Sequence, residues 1–402
     1  MLHISEIASK LASSPTLALD AQAKQLKAAG EPVIHLGGGE PAGAMPDDAA
    51  KAALEKIKSG LVKYTPVSGT WAMKKAVVTH TARVYGKEIT ADGVLVCGGA
   101  KQAIYNFLVS VLNPGDEVVF PAPYWVSYPD MVKLCGGTPV VVKAPDGGFE
   151  PKIEDMSAAI TGKTRVVMLN SPNNPSGTVY SNDFIGELVS ICENRGVYLM
   201  MDDIYRELAF GDSSPVSAFA YSRDNSNLVV INGISKSYGM TGFRIGWAVA
   251  NPALIKVMAK VQGQTTSCPS DLSQAAAVGA IEGNQEFITN LNHSLKHKRD
   301  VLMAELKLIN GLKVNVPQGT FYSLPDFRFT GKGSEELSKF LLEKAKVVTI
   351  PGVHSGVEGH LRISYCGPEN DIIEGARRIR WALDPQSPAE IVIGAEKHTR
   401  TW

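Results

Sequence analysis

Six short apolar runs, separated by longer amphipathic stretches, constrain what this 402-residue chain can fold into. They occupy residues 94–97, 117–120, 140–142, 165–169, 197–201 and 228–231. None alternates polar with apolar side chains, so each predicts a strand buried on both faces. Helical periodicity fills several of the gaps, as at 101–112 and 181–195. Strands alternating with helices predict an α/β fold with a mostly parallel sheet covered by helices. Such sheets collect their ligands at the carboxyl ends of the strands. A long charged helical pattern at 286–308 leads into a second region. That region is β-like at 312–316, 322–324, 347–350 and 361–365 and helical at 370–383, which predicts a smaller α+β unit completed by the N-terminal forty-odd residues. Residues 384–402 show no regular pattern.

Forty basic and forty acidic side chains cancel, so no basic field exists for nucleic acid or an anionic membrane surface. Small molecules and other protein are the expected partners. The five cysteines are scattered, odd in number and free of any C-x-x-C pair, which argues against a disulfide scaffold or a zinc site. The first six residues lack the basic and apolar segments of a secretion signal, and no apolar run nears the ~20 residues of a membrane span. The expected location is the cytoplasm. Gly37, Gly39 and Ala42 mimic a dinucleotide fingerprint, but Pro41 and Gly43 are poor company for the helix start it needs. Gly162-Lys163-Thr164 has Ser157 where a phosphate-binding loop needs glycine, and His293 and His297 lack the acidic company of a metal motif.

The chemistry concentrates after the last apolar run, in Gly233-Ile234-Ser235-Lys236-Ser237-Tyr238-Gly239-Met240-Thr241-Gly242-Phe243-Arg244-Ile245-Gly246. A lysine among small residues, followed eight positions later by an arginine, suits a Schiff base to a phosphorylated aldehyde whose phosphate the guanidinium holds. Asp202 and Asp203 end the fifth run, with Tyr205 close behind. A carboxylate there suits a protonated ring nitrogen, and Tyr205 suits the ring's phenolic oxygen; helix capping fits the adjacent acids equally well. Gly98-Gly99-Ala100-Lys101-Gln102 joins a strand to a helix, where free amides favour phosphate, although a tight turn needs the same glycines.

Over residues 15–383 these motifs resemble the class I, fold-type I pyridoxal-phosphate-dependent aminotransferases, in particular the aspartate/prephenate subgroup. The resemblance implies seven strands, a large domain at 47–290, a discontinuous small domain at 1–46 and 291–385, and a tail at 386–402. It implies pyridoxal 5'-phosphate bound through Lys236, Gly99, Ala100, Lys101, Trp125, Asn174, Asp202, Tyr205 and Arg244. Tyr64 then reaches the phosphate of a neighbouring subunit in a homodimer with shared sites. Arg362 and Gly39 would take the substrate's α-carboxylate, with Trp125 and Asn174 lining the same pocket, and Lys101 a distal carboxylate. Asp202 is chosen over Asp203 by family register, and Asp203 is left to a cap or a salt partner. Lys236, Asp202 and Tyr205 would be catalytic, moving an amino group between an L-amino acid and a 2-oxoacid by a ping-pong mechanism. Prephenate, alanine or aromatic donors, or β-elimination on the same fold, remain open. The chain departs from the pattern at Ala42-Gly43, where an aspartate and an aromatic are usual.

Overall fold

A computed structural model describes residues 4–9, 15–145, 147–211 and 215–402. All six apolar runs are strands: β1 Val94–Cys97, β2 Glu117–Ala122, β3 Thr138–Lys143, β4 Thr164–Asn170, β5 Tyr198–Asp202 and β6 Leu228–Gly233. A seventh, β7 Gly246–Val249, lies between β1 and β6 in one sheet of order β1-β7-β6-β5-β4-β2-β3. Only β7 runs against the others, pairing antiparallel with both neighbours. Its four residues are all buried, but it is short and opens on a glycine inside the lysine motif, which hides it from a search for apolar runs. Two apolar layers cover the sheet, one carrying Val96, Val119, Leu169 and Trp247, the other Leu95, Phe107, Phe120 and Met200.

A separate core collects Ile34, Leu36, Phe321, Tyr322, Leu341, Leu361, Ile379 and Trp381. Ile34–His35 pairs in parallel with Val347–Val348, while Leu361–Ser364 lies antiparallel between Ile350–Pro351 and Tyr322–Ser323. The helices Ser334–Ala345 and Glu369–Leu383 flank these short strands. The helix Glu286–Leu306 spans both cores: Ile288 packs under the sheet, Leu295, Leu302 and Leu306 in the second core.

Three expectations fail. The edge strand β3 is not buried on both faces: of its run 140–142 only Val142 is buried, and Val141 is exposed. Residues 312–316 form no strand, only a single bridge from Lys313 to Asp326, because Val316 is exposed and has no face to bury. Residues 384–402 are ordered by a hairpin, Glu390–Ile393 with Glu396–Thr399. Ile391 and Ile393 point into the second core while Val392 faces out, an alternation only three residues long. Trp402 then sits edge-on to Trp381 at 5.4 Å and to Phe340 at 5.6 Å. Of the N-terminal segment assigned to the small domain, residues 1–3 and 10–14 lie outside the described residues.

Candidate active site

Register does much of the positioning. Asn170 pairs with Asp202 at the carboxyl ends of β4 and β5, and Asp202 with Ile231 of β6, just upstream of Lys236. These ends open onto a cleft of about 860 Å3 whose far wall comes from Gly38, Gly39, Tyr322 and Arg362.

Lys236 Nζ donates to the Gly39 carbonyl at 2.8 Å, and its ammonium lies 5.9 Å from the Phe321 ring centre. Burial pushes this amine down to about 8; the Glu40 charge and the Cys366 thiol pull it up, Arg362 and Arg244 down. A buried amine near neutrality is a nucleophile and a proton carrier.

Asp202 Oδ2 accepts from the Tyr128 hydroxyl at 2.7 Å, whereas its buried Oδ1 has no hydrogen-bond partner. Burial pushes its carboxyl up to about 6, against the lowering effect of Tyr128, the Ile204 amide and Lys236. A buried lone acceptor costs roughly 1–3 kcal/mol and suits a donor supplied by a ligand. Asp203 does not line this space: Tyr85 donates to it, and the nearby Arg206 charge opposes the upward push that burial gives its carboxyl.

Gly99, at φ 99°, precedes the helix Ala100–Val111. A Cβ here would lie 2.5 Å from the Arg244 guanidinium, so only glycine leaves that group room over the helix start. Arg244 itself sits at φ 55°, its Nη1 donating to the Thr241 carbonyl at 2.9 Å. Gly246 lets β7 pass beneath the same turn, where a Cβ would meet the Gly99 carbonyl carbon at 2.7 Å and the Ala100 amide closer still. Helix amides and a guanidinium converging on one point make an anion seat.

Arg362 is buried, with Nη2 donating to the Gly37 carbonyl at 2.8 Å and Nη1 to Asn174 Oδ1 at 3.3 Å. Its guanidinium lies 4.3 Å from the Tyr322 ring centre, and its Nε is unpartnered. The Tyr205 hydroxyl donates to that of Tyr322 at 3.5 Å. Lys101 Nζ donates to Ser127 Oγ at 3.1 Å and lies 4.7 Å from the Trp125 ring centre; partial burial and Arg244 hold its amine below its usual value.

One cleft thus gathers Gly39, Ala100, Lys101, Trp125, Asn174, Asp202, Tyr205, Lys236, Arg244 and Arg362, with Gly99 against it. Tyr64 is the exception, 93% exposed and outside the cleft of this single chain. Sequence reasoning missed Tyr128 and Tyr322, whose sole signal is a tyrosine three residues beyond Trp125 and one in the β-like run at 322–324. It also assigned no role to Ser235, Lys24 or Lys27, which line the cleft. His297 pairs with Glu369 at 2.8 Å, and among the described residues no group of three or more His, Cys, Asp or Glu side chains is placed to hold a metal ion.

A doubly wound sheet with a buried lysine, an anion seat and a buried carboxylate at its strand ends is the layout of a group-transfer enzyme acting on an anionic ligand. Residues 31–379 match the family described as aminotransferase class I and II, and the chain belongs to that family. A probable aspartate/prephenate aminotransferase of Aquifex aeolicus is 36% identical over 383 residues, covering 94% of this chain and 97% of the relative. The crystal structure of an aspartate aminotransferase from Rhizobium meliloti is 37% identical, with TM-score 0.90 over 94% of this chain and 98% of its own. The Thermus thermophilus aspartate aminotransferase solved with maleate is 33% identical, with TM-score 0.91 over 94% and 99%. The protein is therefore a transaminase acting between amino acids and 2-oxoacids.

Proposed function

We propose that this transaminase uses pyridoxal 5'-phosphate and prefers dicarboxylic substrates of the aspartate and glutamate type. The unpartnered Asp202 Oδ1 carries the cofactor reading, since it matches a ring N–H that nothing else in the cleft supplies. The Arg244 guanidinium, packed against Gly99 at the start of the helix Ala100–Val111, puts donors of the kind a phosphate takes beside the cleft. When bound, the cofactor supplies an electron sink for charge developing at the substrate Cα.

The chain's own groups do the rest. Asp202 holds the ring nitrogen protonated, and Tyr205 with Asn174 donates to the phenolic oxygen. Gly99, Ala100 and Arg244 would hold the phosphate, with Lys101 adding positive charge beside them, and Trp125 would face the ring. Lys236 would anchor the cofactor through its Nζ, and that amine, when free, would take and return the proton at the substrate Cα. With its amine near 8, about a tenth is neutral at pH 7, enough to act as a base. Arg362 grips the α-carboxylate through a planar fork, and Gly39 offers backbone to the same group, fixing which Cα bond faces the ring. Lys101 is the large-domain cation available to a distal carboxylate. The maleate bound to the Thermus thermophilus relative, a dicarboxylate, supports this preference.

Leu54, Ile57, Leu61, Val62, Tyr64 and Trp71 are all exposed within one stretch of chain, an apolar surface suited to a second copy. In such a homodimer Tyr64 reaches the partner's phosphate. Five free thiols support a reducing cytoplasm, and no helix among the described residues is long and apolar enough to cross a membrane. The domain division at 47–290, with 1–46 and 291–385 apart and 386–402 appended, is supported by Ile288 packing under the sheet and Leu295 in the second core.

The test is a single half-reaction of purified holoenzyme with a panel of amino acids, followed by the cofactor's absorbance. Aspartate and glutamate should bleach the aldehyde form faster than alanine and yield their oxoacids. Release of pyruvate and ammonia from a β-leaving-group amino acid, without transamination, would reassign the chain to elimination.

A further inference from the structure

The cleft carries more positive charge than the proposed chemistry uses. Lys236, Arg244 and Arg362 have work there, and Asp202 faces a ring nitrogen. Lys24 and Lys27, one turn apart on the N-terminal helix Pro15–Ala28, also line the cleft, with Ala23 between them and the core. Neither has an ion-pair partner among the described residues, and Lys101 on the opposite wall has only Ser127 and the Trp125 face. Glu40 is the only other carboxylate in the lining, and its charge acts on Lys236. His35 borders the same end.

Three unpaired lysines, two on one wall and one on the other, leave a surplus of two positive charges after Glu40. A bound phosphate dianion takes Arg244 and part of Lys101, and the α-carboxylate takes Arg362, so the charge left without an anion is chiefly that of Lys24 and Lys27. We propose that Lys24 and Lys27 form the small-domain half of a distal-carboxylate subsite, facing Lys101 across the cleft. A dicarboxylic substrate then bridges the walls, with its α-carboxylate on Arg362 and its second carboxylate between the lysines. A monocarboxylic one leaves the lysines facing each other. Discrimination thus comes from repulsion relieved as well as from attraction gained. The inference rests on the aminotransferase reading, with Arg362 at the α-carboxylate.

The test measures binding to the holoenzyme by calorimetry, comparing succinate with butyrate, for the wild type and for Lys24→Gln/Lys27→Gln. Both lysines are exposed, so the double variant should keep its melting temperature. Succinate affinity is expected to fall about fivefold, with a smaller loss at raised salt, and butyrate affinity to fall by less than half as much. Lys24→Glu/Lys27→Glu should widen the gap. Equal losses for the two ligands, or no loss for succinate, would overturn the subsite. A wild type that binds neither ligand and shows no half-reaction with any amino acid would instead overturn the reading beneath it.

Discussion

On the sheet side of the cleft, Asn170, Asp202 and Lys236 leave neighbouring strands in register, each anchored by a strand of at least five residues. On the facing side, Gly37, Gly39, Tyr322 and Arg362 depend on two-residue strands, a glycine run and one four-residue strand. The first wall is fixed by many parallel backbone bonds, the second by a few plus side-chain packing. Groups that must keep sub-ångström geometry for proton transfer sit on the stiff wall, and the grip on the α-carboxylate sits on the more yielding one, while Lys101 addresses the substrate's far end from the sheet side.

Substitutions can break this contrast. Lys236→Ala should have the largest effect, lowering steady-state turnover by at least ~10⁴-fold and removing borohydride-reducible absorbance. Asp202→Asn should lower kcat on the order of 10²–10³-fold with little change in KM, as expected for a charge used in the transition state. Arg362→Ala on the facing wall should lower kcat/KM about 10²-fold, chiefly through KM, for aspartate and alanine alike. If Arg362→Ala instead spared KM and cut kcat, the division of labour would be wrong. Lys101→Ala should cost aspartate about tenfold in kcat/KM and alanine much less. The smallest effect is one of pH: cofactor capture by the free chain needs the neutral Lys236 amine, so its rate should rise with pH and level off above about 8. A midpoint near the ordinary lysine value would mean that the stiff wall does not desolvate its amine.

The same contrast explains what could be seen in the amino acids alone. Runs such as 165–169 and 197–201 announce β4 and β5 because both faces are covered, and the polar residues that follow them fall in the cleft by topology. Arg362 stands out through its motif, and its strand and the two short ones beside it fall at the β-like runs 361–365, 347–350 and 322–324; only their order in the sheet carries no local signal. Tyr128 was invisible because its role comes from a hydroxyl reaching Asp202 across 74 positions of chain. The hairpin at 390–399 buries only two side chains, too few for a period to stand out. The lysines of the N-terminal helix look like any solvated face until the cleft is seen beside them.

That hairpin also orders events during synthesis. Gly394 lies against Pro32, the Arg378 guanidinium donates to the Pro32 carbonyl at 2.7 Å, and Ile34 pairs with Val347. The sheet, by contrast, is complete once residue 249 has emerged. A ribosome can therefore release a nearly finished sheet well before the segment bearing Gly39 finds its partners, more than three hundred positions downstream. Contacts of such long sequence separation form late. The nascent chain can form its anion seat once residue 249 is out, and its means of gripping an amino acid only after residue 362 has followed.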